Sequence, residues 1–189
     1  GGNSLSDLVV FGKRAGEFAA NFAQEKGSGT IDESQVEQVI NRALAPLERE
    51  GGEQPYAIQS ELQEKMQDLV GIVRREEEMQ QALGIVAELK ERAERVSAPG
   101  NREYNPGWHT AIDLDNLLTV SEAIALSAIE RKESRGGHFR DDYPDKDAEH
   151  FAKVNVRVRK GEDGRMQVDQ VPMAKMPEDL QAIIDEESK

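Results

Sequence analysis

Apolar residues recur at helical spacing through the first two thirds of the chain. Positions i, i+3 and i+4 are apolar in five separate stretches, which indicates five amphipathic helices. The predicted helices cover roughly residues 5–26, 32–50, 55–73, 79–96 and 111–132. The last stretch is apolar on more than one face, so we predict that it is the central helix of the group.

Capping and breaking residues support these boundaries. Ser4 and Asp32 are residue types that favour the N-cap position. Pro55 is suited to the first turn of the third helix. Pro46 lies inside the second apolar pattern, and it is expected to kink or shorten that helix because proline lacks an amide proton.

The pattern changes after Glu133. Val154, Val156 and Val158 alternate with polar residues, and a Gly-rich turn separates them from a second short apolar run around Val168. This alternation predicts a β-hairpin, followed by a short acidic helix over roughly residues 177–187.

The fold class predicted from these elements is mainly α, an antiparallel helical bundle with a small C-terminal β-hairpin appendage. We divide the chain into an N-terminal helix at residues 1–26, the bundle at 27–135, and a loop, hairpin and tail at 136–189. Such a module suits binding or structural work, and no catalytic centre assembles from its residue types.

The composition of the chain argues against several classes of binding partner. The chain has 24 Lys and Arg against 37 Asp and Glu, a net charge of −13, which disfavours binding to nucleic acid and to anionic lipid. Cysteine is absent, which excludes disulfides and thiolate metal sites within the chain. No apolar run approaches the ~20 residues that span a bilayer, so we predict no direct membrane insertion. The Gly-Gly start without Met is expected of a cut chain.

The first residues form one candidate site. Gly2 permits close approach of backbone to a ligand, and Asn3, Ser4 and Leu5 open a helix whose free N–H groups favour an anion. On the pattern alone, an ordinary capped helix start is the favoured interpretation of these residues, because such caps are frequent.

A second candidate is the segment Glu133–Pro144, which gathers Arg135, His138 and Arg140 in a glycine-containing loop. These cations can pair carboxylates across an interface. The alternative is a loop held by local salt bridges to acidic neighbours, and the residue types favour that alternative. The local acids are Asp141, Asp142 and Asp147.

The remaining polar residues indicate no further chemistry. His109 beside Trp108 is typical of a packed helix entry, and His150 is expected at the surface. The three histidines are too scattered for a metal site. The run Glu76-Glu77-Glu78 is expected to be a solvated helix start.

Both candidate segments resemble one family. Gly2-Asn3-Ser4-Leu5, continuing through Ala15-Gly16, is similar to the GGNSLxDxxVFGxxAG segment of succinate dehydrogenase and fumarate reductase flavoprotein subunits. Glu133–Pro144 resembles their ESRGxHxRxDyP segment, and the separation of the two segments also matches.

This resemblance implies an enzyme larger than the chain. The family's subunit joins an FAD domain, a capping domain and a helical C-terminal domain, so residues 1–26 would end the FAD-domain segment. It interconverts succinate and fumarate through the flavin and passes electrons to an iron–sulfur subunit and quinone. The resemblance places it in the cytoplasm, as a peripheral part of a membrane-bound complex.

The resemblance also assigns site residues. Gly2, Asn3, Ser4 and Leu5 would contact the flavin, and Arg135, His138 and Arg140 are interface candidates. The family's catalytic residues lie before the GGNSL segment, so no catalytic residue is expected in this chain, and the isolated chain is expected to be inactive.

Two alternatives stay open from the sequence. L-aspartate oxidase shares the ESRGxH segment, although Arg140 and Asp142 fit the dehydrogenase pattern better. A stand-alone helical interaction module is the second alternative. The residues do not decide between succinate oxidation and fumarate reduction.

Overall fold

The computed structural model describes the backbone of residues 3–187 and the side chains of residues 4–186. The chain divides into two units, Gly1–Arg42 and Ala43–Lys189. The helices are α1 (Asn3–Lys26), α2 (Glu33–Glu48), α3 (Pro55–Val70), α4 (Glu76–Ala93), α5 (Pro106–Glu130) and α6 (Glu178–Glu187). The strands are β1 (Val73–Arg74), β2 (Phe139–Arg140), β3 (Val154–Lys160) and β4 (Met166–Pro172), with a 3₁₀ turn at Phe151–Lys153. The mainly α prediction is confirmed.

The first unit contains α1 and the start of α2. Asp32 caps α2 as predicted, because its Oδ1 accepts hydrogen bonds from the backbone N–H of Ser34 at 2.9 Å and of Gln35 at 3.4 Å. The prediction that Ser4 caps α1 is wrong. Helix α1 includes Asn3, two residues before the predicted start, so Ser4 lies inside the first turn.

Packing of α3, α4 and α5 forms the core of the second unit. One cluster of buried side chains joins all three helices, and a second cluster follows near the start of α4. Helix α5 contacts both other helices and both strands of the hairpin, as predicted for a central helix. The fully buried large side chains of this core include Ile58, Met79, Leu89, Leu114 and Leu118.

The predicted hairpin is confirmed. Strands β3 and β4 pair antiparallel, with Val158 opposite Val168 and Val154 opposite Pro172. The connecting turn closes through the Gly161 N–H, which donates to the Arg165 carbonyl at 2.8 Å.

Helix α5 begins at Pro106, five residues before the predicted start. Asn105 is its N-cap, and the Asn105 side chain accepts a hydrogen bond from the Trp108 N–H at 3.0 Å. The first turn carries too few apolar residues for the helical period to reveal it, whereas Asn followed by Pro is a capping signal. His109 therefore lies within the helix and not before it. Pro46 lies inside α2, which ends at Glu48, two residues before the predicted end.

The pairing of β1 with β2 was not predicted. Strands β1 and β2 form a parallel pair, with Val73 opposite Phe139 and Arg74 opposite Arg140. Two residues are too few to show strand alternation in a sequence. This pair holds the start of α4 beside the Glu133–Pro144 segment.

Candidate functional site

Glu133–Pro144, which we call the arginine loop, follows directly after α5 and closes on itself. The Ser134 Oγ accepts a hydrogen bond from the Arg140 N–H at 2.9 Å and donates one to the Tyr143 carbonyl at 2.9 Å. The Ser134 N–H also donates to the Asp145 carbonyl at 3.1 Å. One buried serine therefore fixes both ends of the loop.

A tight turn forms the tip of the arginine loop. The Arg135 N–H donates to the His138 carbonyl at 2.8 Å, and the His138 N–H donates to the Arg135 carbonyl at 3.0 Å. Gly136 has φ of 61°, a left-handed conformation that glycine adopts without steric cost. The turn therefore presents Arg135 and His138 side by side.

Arg140 is fully buried, and its guanidinium is the centre of the site. Its Nη1 donates to the carbonyls of Ala128 at 2.9 Å and Ile129 at 3.1 Å, near the C-terminus of α5. Its Nε and Nη2 each reach an Asp142 oxygen at 2.7 Å, a bidentate ion pair. The Tyr143 ring covers the guanidinium, with 4.9 Å from Cζ to the ring centroid.

Helix α4 contributes its first residue to the same cluster. The Glu76 Oε2 lies 3.2 Å from the Arg140 Nη2 and 3.4 Å from the Lys132 Nζ. The Glu76 N–H donates to the Asp142 Oδ2 at 2.9 Å, which places a carboxylate at the helix N-terminus. The expectation of a purely solvated Glu76-Glu77-Glu78 run is therefore wrong at Glu76, because the fold brings a buried cation to it.

A second buried ion cluster surrounds Glu133. The Glu133 carboxylate is inaccessible to solvent and accepts from the Arg131 Nη1 at 2.6 Å and from the Arg135 Nε at 2.7 Å. Its other oxygen accepts from the Arg135 Nη2 at 2.9 Å and from the Asp147 N–H at 2.8 Å. Four donors therefore compensate one buried charge.

These contacts lower the pKa of both carboxyls. Hydrogen bonds from Arg135 lower the pKa of Glu133 to about 2, with further help from the Asp147 N–H and Arg131. Hydrogen bonds from Arg140 lower the pKa of Asp142 to about 2. Both side chains are thus held ionised at neutral pH, and neither is poised to exchange a proton there.

His138 lies between two groups with fixed hydrogen-bonding roles. Its Nε2 is 3.0 Å from the Arg131 carbonyl, which only accepts, and its Nδ1 is 2.9 Å from the Arg74 Nη1, which only donates. These contacts assign a neutral ring with its proton on Nε2. Burial lowers the His138 pKa, and the nearby guanidinium groups of Arg74 and Arg140 lower it further.

The arginine loop is therefore suited to ordering and recognition and not to proton transfer. Within the described residues 3–187, no group of three or more His, Asp or Glu side chains is arranged to hold a metal ion. The charged groups of the arginine loop instead hold α4, α5 and the loop together.

A sequence model of one family, fumarate reductase flavoprotein C-term, matches residues 59–183. The chain belongs to this family. The matched range begins inside α3, contains α4, α5, the arginine loop and the hairpin, and ends inside α6. The resemblance predicted from the two sequence segments is thus confirmed at the level of the family.

Relatives within the family are flavoprotein subunits. The fumarate reductase flavoprotein subunit of Haemophilus influenzae is 40% identical over 157 residues, covering 81% of this chain and 26% of the relative. The succinate dehydrogenase flavoprotein subunit of Coxiella burnetii is 36% identical over 169 residues, covering 85% of this chain and 28% of the relative. The chain thus spans just over a quarter of the length of these relatives.

Solved structures from the family share the fold. The Mycobacterium smegmatis Sdh1 complex with UQ1 contains a chain that is 43% identical, with a TM-score of 0.88, covering 98% of this chain and 32% of that one. Escherichia coli quinol fumarate reductase contains a chain that is 32% identical, with a TM-score of 0.80. The match covers 92% of this chain and 31% of that one.

The N-terminal segment of this family member is only partly described. Gly2 lies outside the described residues, and only the backbone of Asn3 is described. Ser4 and Leu5 are exposed on the first turn of α1, with Leu5 76% exposed. Their contact with a flavin stays a prediction. Other apolar residues of α1 are exposed as well, namely Leu8, Val9, Val10, Phe11, Phe18 and Phe22.

The structure brings Arg135, His138 and Arg140 into one loop, and it confirms the predicted local ion pairing for Arg140 with Asp142. Two details differ from the prediction. Asp141 pairs with Arg75 and not with a cation of the loop, and Asp147 contacts Arg135 through its backbone carbonyl. The interface role of the three cations stays a prediction.

Sequence reasoning missed three residues of the site, Arg74, Glu76 and Arg131, and it assigned no role to Glu133 inside the predicted segment. Their signal was the juxtaposition of opposite charges at the ends of two predicted helices, in Arg74-Arg75-Glu76 and Arg131-Lys132-Glu133. Charges at helix ends usually face solvent, so the pattern alone does not show that these four meet.

The other two histidines lie away from this site. Trp108 packs against the core and donates from Nε1 to the Ala43 carbonyl at 2.6 Å, with the His109 ring 5.6 Å away. The packed helix entry predicted there is confirmed. His150 is exposed as predicted, and its Nε2 contacts the Gln170 side chain.

None of the described helices combines the length and the apolar character needed to cross a bilayer.

Proposed function

We propose that this chain is the helical C-terminal domain of an FAD-dependent succinate dehydrogenase or fumarate reductase flavoprotein subunit. The observation that carries the proposal is the family match over residues 59–183. Two sequence segments support it. Gly2-Asn3-Ser4-Leu5 lies outside the matched range, and the arginine loop lies inside it. In this proposal, the longer protein interconverts succinate and fumarate.

The chain's own part is structural. Three titratable groups with shifted pKa values already bind partners within the chain. Glu133 and Asp142 are ion-paired, and the neutral His138 ring is hydrogen-bonded. These groups fix the end of α5 against the start of α4. A rigid scaffold for a neighbouring catalytic domain needs this kind of internal bracing.

Ser4 and Leu5 would form one wall of the flavin site. The exposed Leu5 side chain is an apolar surface at a helix start, and the exposed Ser4 can offer a hydroxyl donor, so both fit the edge of an aromatic ring system carrying polar atoms. When bound, FAD would accept a hydride from succinate. The N-terminal end of α1 would favour negative charge beside it.

The proposed partners are the FAD and capping domains of the same subunit and an iron–sulfur subunit that passes electrons to quinone. The related structures are succinate dehydrogenase and fumarate reductase complexes, which supports this assignment. The apolar residues exposed along α1 fit coverage by the rest of the subunit. We place the assembly in the cytoplasm, as the peripheral part of a membrane-bound complex.

The test uses the full-length subunit that contains this sequence. Purified with its bound cofactor, it should show a flavin absorption spectrum and reduce an artificial electron acceptor with succinate as donor. Activity with L-aspartate in place of succinate would instead support the L-aspartate oxidase alternative. A full-length protein without flavin would contradict the proposal and favour a helical interaction module.

A substitution connects the result to this chain. Leu5→Asp in the full-length subunit should lower the flavin content. The new carboxylate would repel the FAD phosphates and the negative charge of the reduced ring. Asp7→Asn, two positions along on the same exposed helix, is the matched control and should leave the flavin content unchanged.

A further inference from the structure

An open groove of about 530 Å³ lies between α5, β3 and the arginine loop. Its apolar part is formed by Val120, Ile124 and Val156, and its other end is formed by Arg74, Arg131 and His138. Val120 is 56% exposed and Ile124 is 44% exposed, although both belong to the central helix. The groove therefore offers an apolar surface that ends in a cationic cluster.

Arg74 is the unusual member of this cluster. Its Nε donates to the carbonyls of Val70 at 3.1 Å and Gly71 at 2.9 Å, and its Nη1 donates to His138. The ion pairs of the described residues give a carboxylate to each neighbouring arginine, and Arg74 receives none. The neighbours so paired are Arg75, Arg131, Arg135 and Arg140.

Partial burial of Arg74 makes the lack of a paired carboxylate more costly. Burial lowers the pKa of the Arg74 guanidinium, which means that its charge has lost part of its water. In a chain of net charge −13, a half-buried cation without an acid beside it marks a place where an anionic group is favourable.

Helix α6 carries the complementary chemistry. It contains acidic residues in its first and last turns and no basic residue. Leu180 is 49% exposed and Ile183 is 57% exposed, and their spacing puts both on one face of the helix. No described residue of α6 lines the groove in this structure.

The tether between α6 and the groove is short. The β-ladder continues to Met173, whose N–H donates to the Lys153 carbonyl at 2.9 Å, and Val171 lies opposite Asn155, which lines the groove. Only residues 174–177 separate this anchor from α6, and four residues span at most ~14 Å. A tether of this length keeps the helix at an effective concentration in the millimolar range.

We propose that α6 docks into this groove within the same chain. Leu180 and Ile183 would cover Val120 and Ile124, and acidic side chains of α6 would reach Arg74. The groove is then the binding site for the C-terminal helix. His138 is a positioning residue, because its hydrogen bond holds the Arg74 guanidinium at the groove.

A chain without cysteine makes docking directly measurable. In the full chain with Val120→Cys and Ile183→Cys, mild oxidation should form a disulfide within one chain, detected by gel mobility and by mass of the linked peptides. The control pairs Ile112→Cys with Ile183→Cys. Ile112 is 39% exposed on the same helix, eight residues and about 12 Å before Val120, and should link far more slowly.

Charge variants of the linked pair test the cationic end. Arg74→Glu should slow disulfide formation about tenfold, the effect of losing one favourable ion pair in the docked state. Adding Asp179→Lys and Asp185→Lys should restore the rate. Arg75→Glu, whose side chain is exposed and paired with Asp141, should change the rate less than about twofold.

Three results would overturn the proposal. The first is absence of the intramolecular disulfide in a Val120→Cys, Ile183→Cys chain that keeps its circular dichroism spectrum and melting temperature. The second is a disulfide found only between two chains, which assigns the groove to a second copy. The third is equal rates in the Arg74→Glu and Arg75→Glu chains.

Discussion

Arg140 connects three parts of the chain through a single buried guanidinium. It contacts the last turn of α5, the first residue of α4 and Asp142 of its own loop. A buried ion pair adds little net stability when compared with a well-packed apolar pair. Removing one partner is costly, however, because the other charges then stay buried without compensation.

Replacing Arg140 tests this reasoning. Arg140→Met should lower the free energy of unfolding by about 3–5 kcal/mol, because Asp142 and two α5 carbonyls lose their donors. Arg157→Met removes an exposed ion pair with Asp169 and should cost less than about 1 kcal/mol. Urea unfolding of both variants measures the difference, and similar costs for the two would contradict it.

The buried charges also set the pH dependence of stability. The pKa of Glu133 is about 2 in the folded chain against an ordinary 4.5, so its contribution of about 3 kcal/mol is complete above pH 4.5 and is lost as the pH falls toward 2. His138 has a lowered pKa, so its contribution is complete above its ordinary value of 6.5 and falls as the pH drops below it. Stability should therefore fall in two steps on acidification.

Urea unfolding at a series of pH values detects both steps. His138→Gln should flatten the upper step, because a glutamine amide can donate and accept as the neutral ring does without titrating. Glu133→Gln should reduce the lower step, and the remainder is expected from Asp142, whose pKa is also about 2. A wild-type stability that stays constant between pH 7 and pH 3 would contradict the assignment of both groups.

At the scale of elements, α5 carries the core of the second unit. Leu118→Ala should lower the free energy of unfolding by about 2–5 kcal/mol, because Leu118 is fully buried among three helices and the neighbouring helices cannot fill the cavity. Leu117→Ala is the adjacent control, since Leu117 is 38% exposed. Thermal or urea unfolding gives both values, and equal costs would show that α5 is not central.

The helical period predicted these elements well wherever one face is buried. The third helix was predicted to begin at Pro55, and it does, because a proline start and a buried Ile58 and Leu62 stripe agree. The hairpin was predicted because Val154, Val156 and Val158 alternate over a full strand.

The parts that were missed depend on contacts distant in sequence. The β1–β2 pair has no local pattern, and the Arg140–Glu76 contact joins residues 64 positions apart. The sequence motif identified Arg135, His138 and Arg140 as one group. It gave no information on Arg74 or Glu76, whose importance arises only once α4 is placed beside the loop.

At the scale of the whole molecule, the chain supplies at most one wall of the proposed flavin site. We expect the isolated 189-residue chain neither to bind FAD tightly nor to oxidise succinate. Titration of the chain with FAD, followed by flavin fluorescence, should show no saturable quenching at micromolar concentrations. A micromolar or tighter complex would contradict this prediction and would place more of the flavin site within the chain.

The arginine loop gives a second prediction at this scale. The Arg135 side chain is 39% exposed, so it can contact a neighbouring domain or the proposed iron–sulfur subunit while it still binds Glu133. If the proposed complex forms, Arg135→Ala in the full-length subunit should reduce the amount of iron–sulfur subunit that copurifies. Arg157→Ala, an exposed arginine of the hairpin, is the control. Intact assembly and activity in both Arg135→Ala and Arg140→Ala would exclude an interface role for the loop.

The pairing of β1 with β2 has a consequence for biosynthesis. Glu76 and Asp142 are 66 positions apart, so a ribosome adding roughly 5–20 residues per second releases them about 3 to 13 s apart. During that interval, α3 and α4 can associate, but Glu76 has not yet received Arg140 and β1 has an open edge. The arginine loop therefore marks the moment when translation supplies the partners of β1 and of the start of α4, and nascent chains that end before it should be the ones that chaperones and proteases engage.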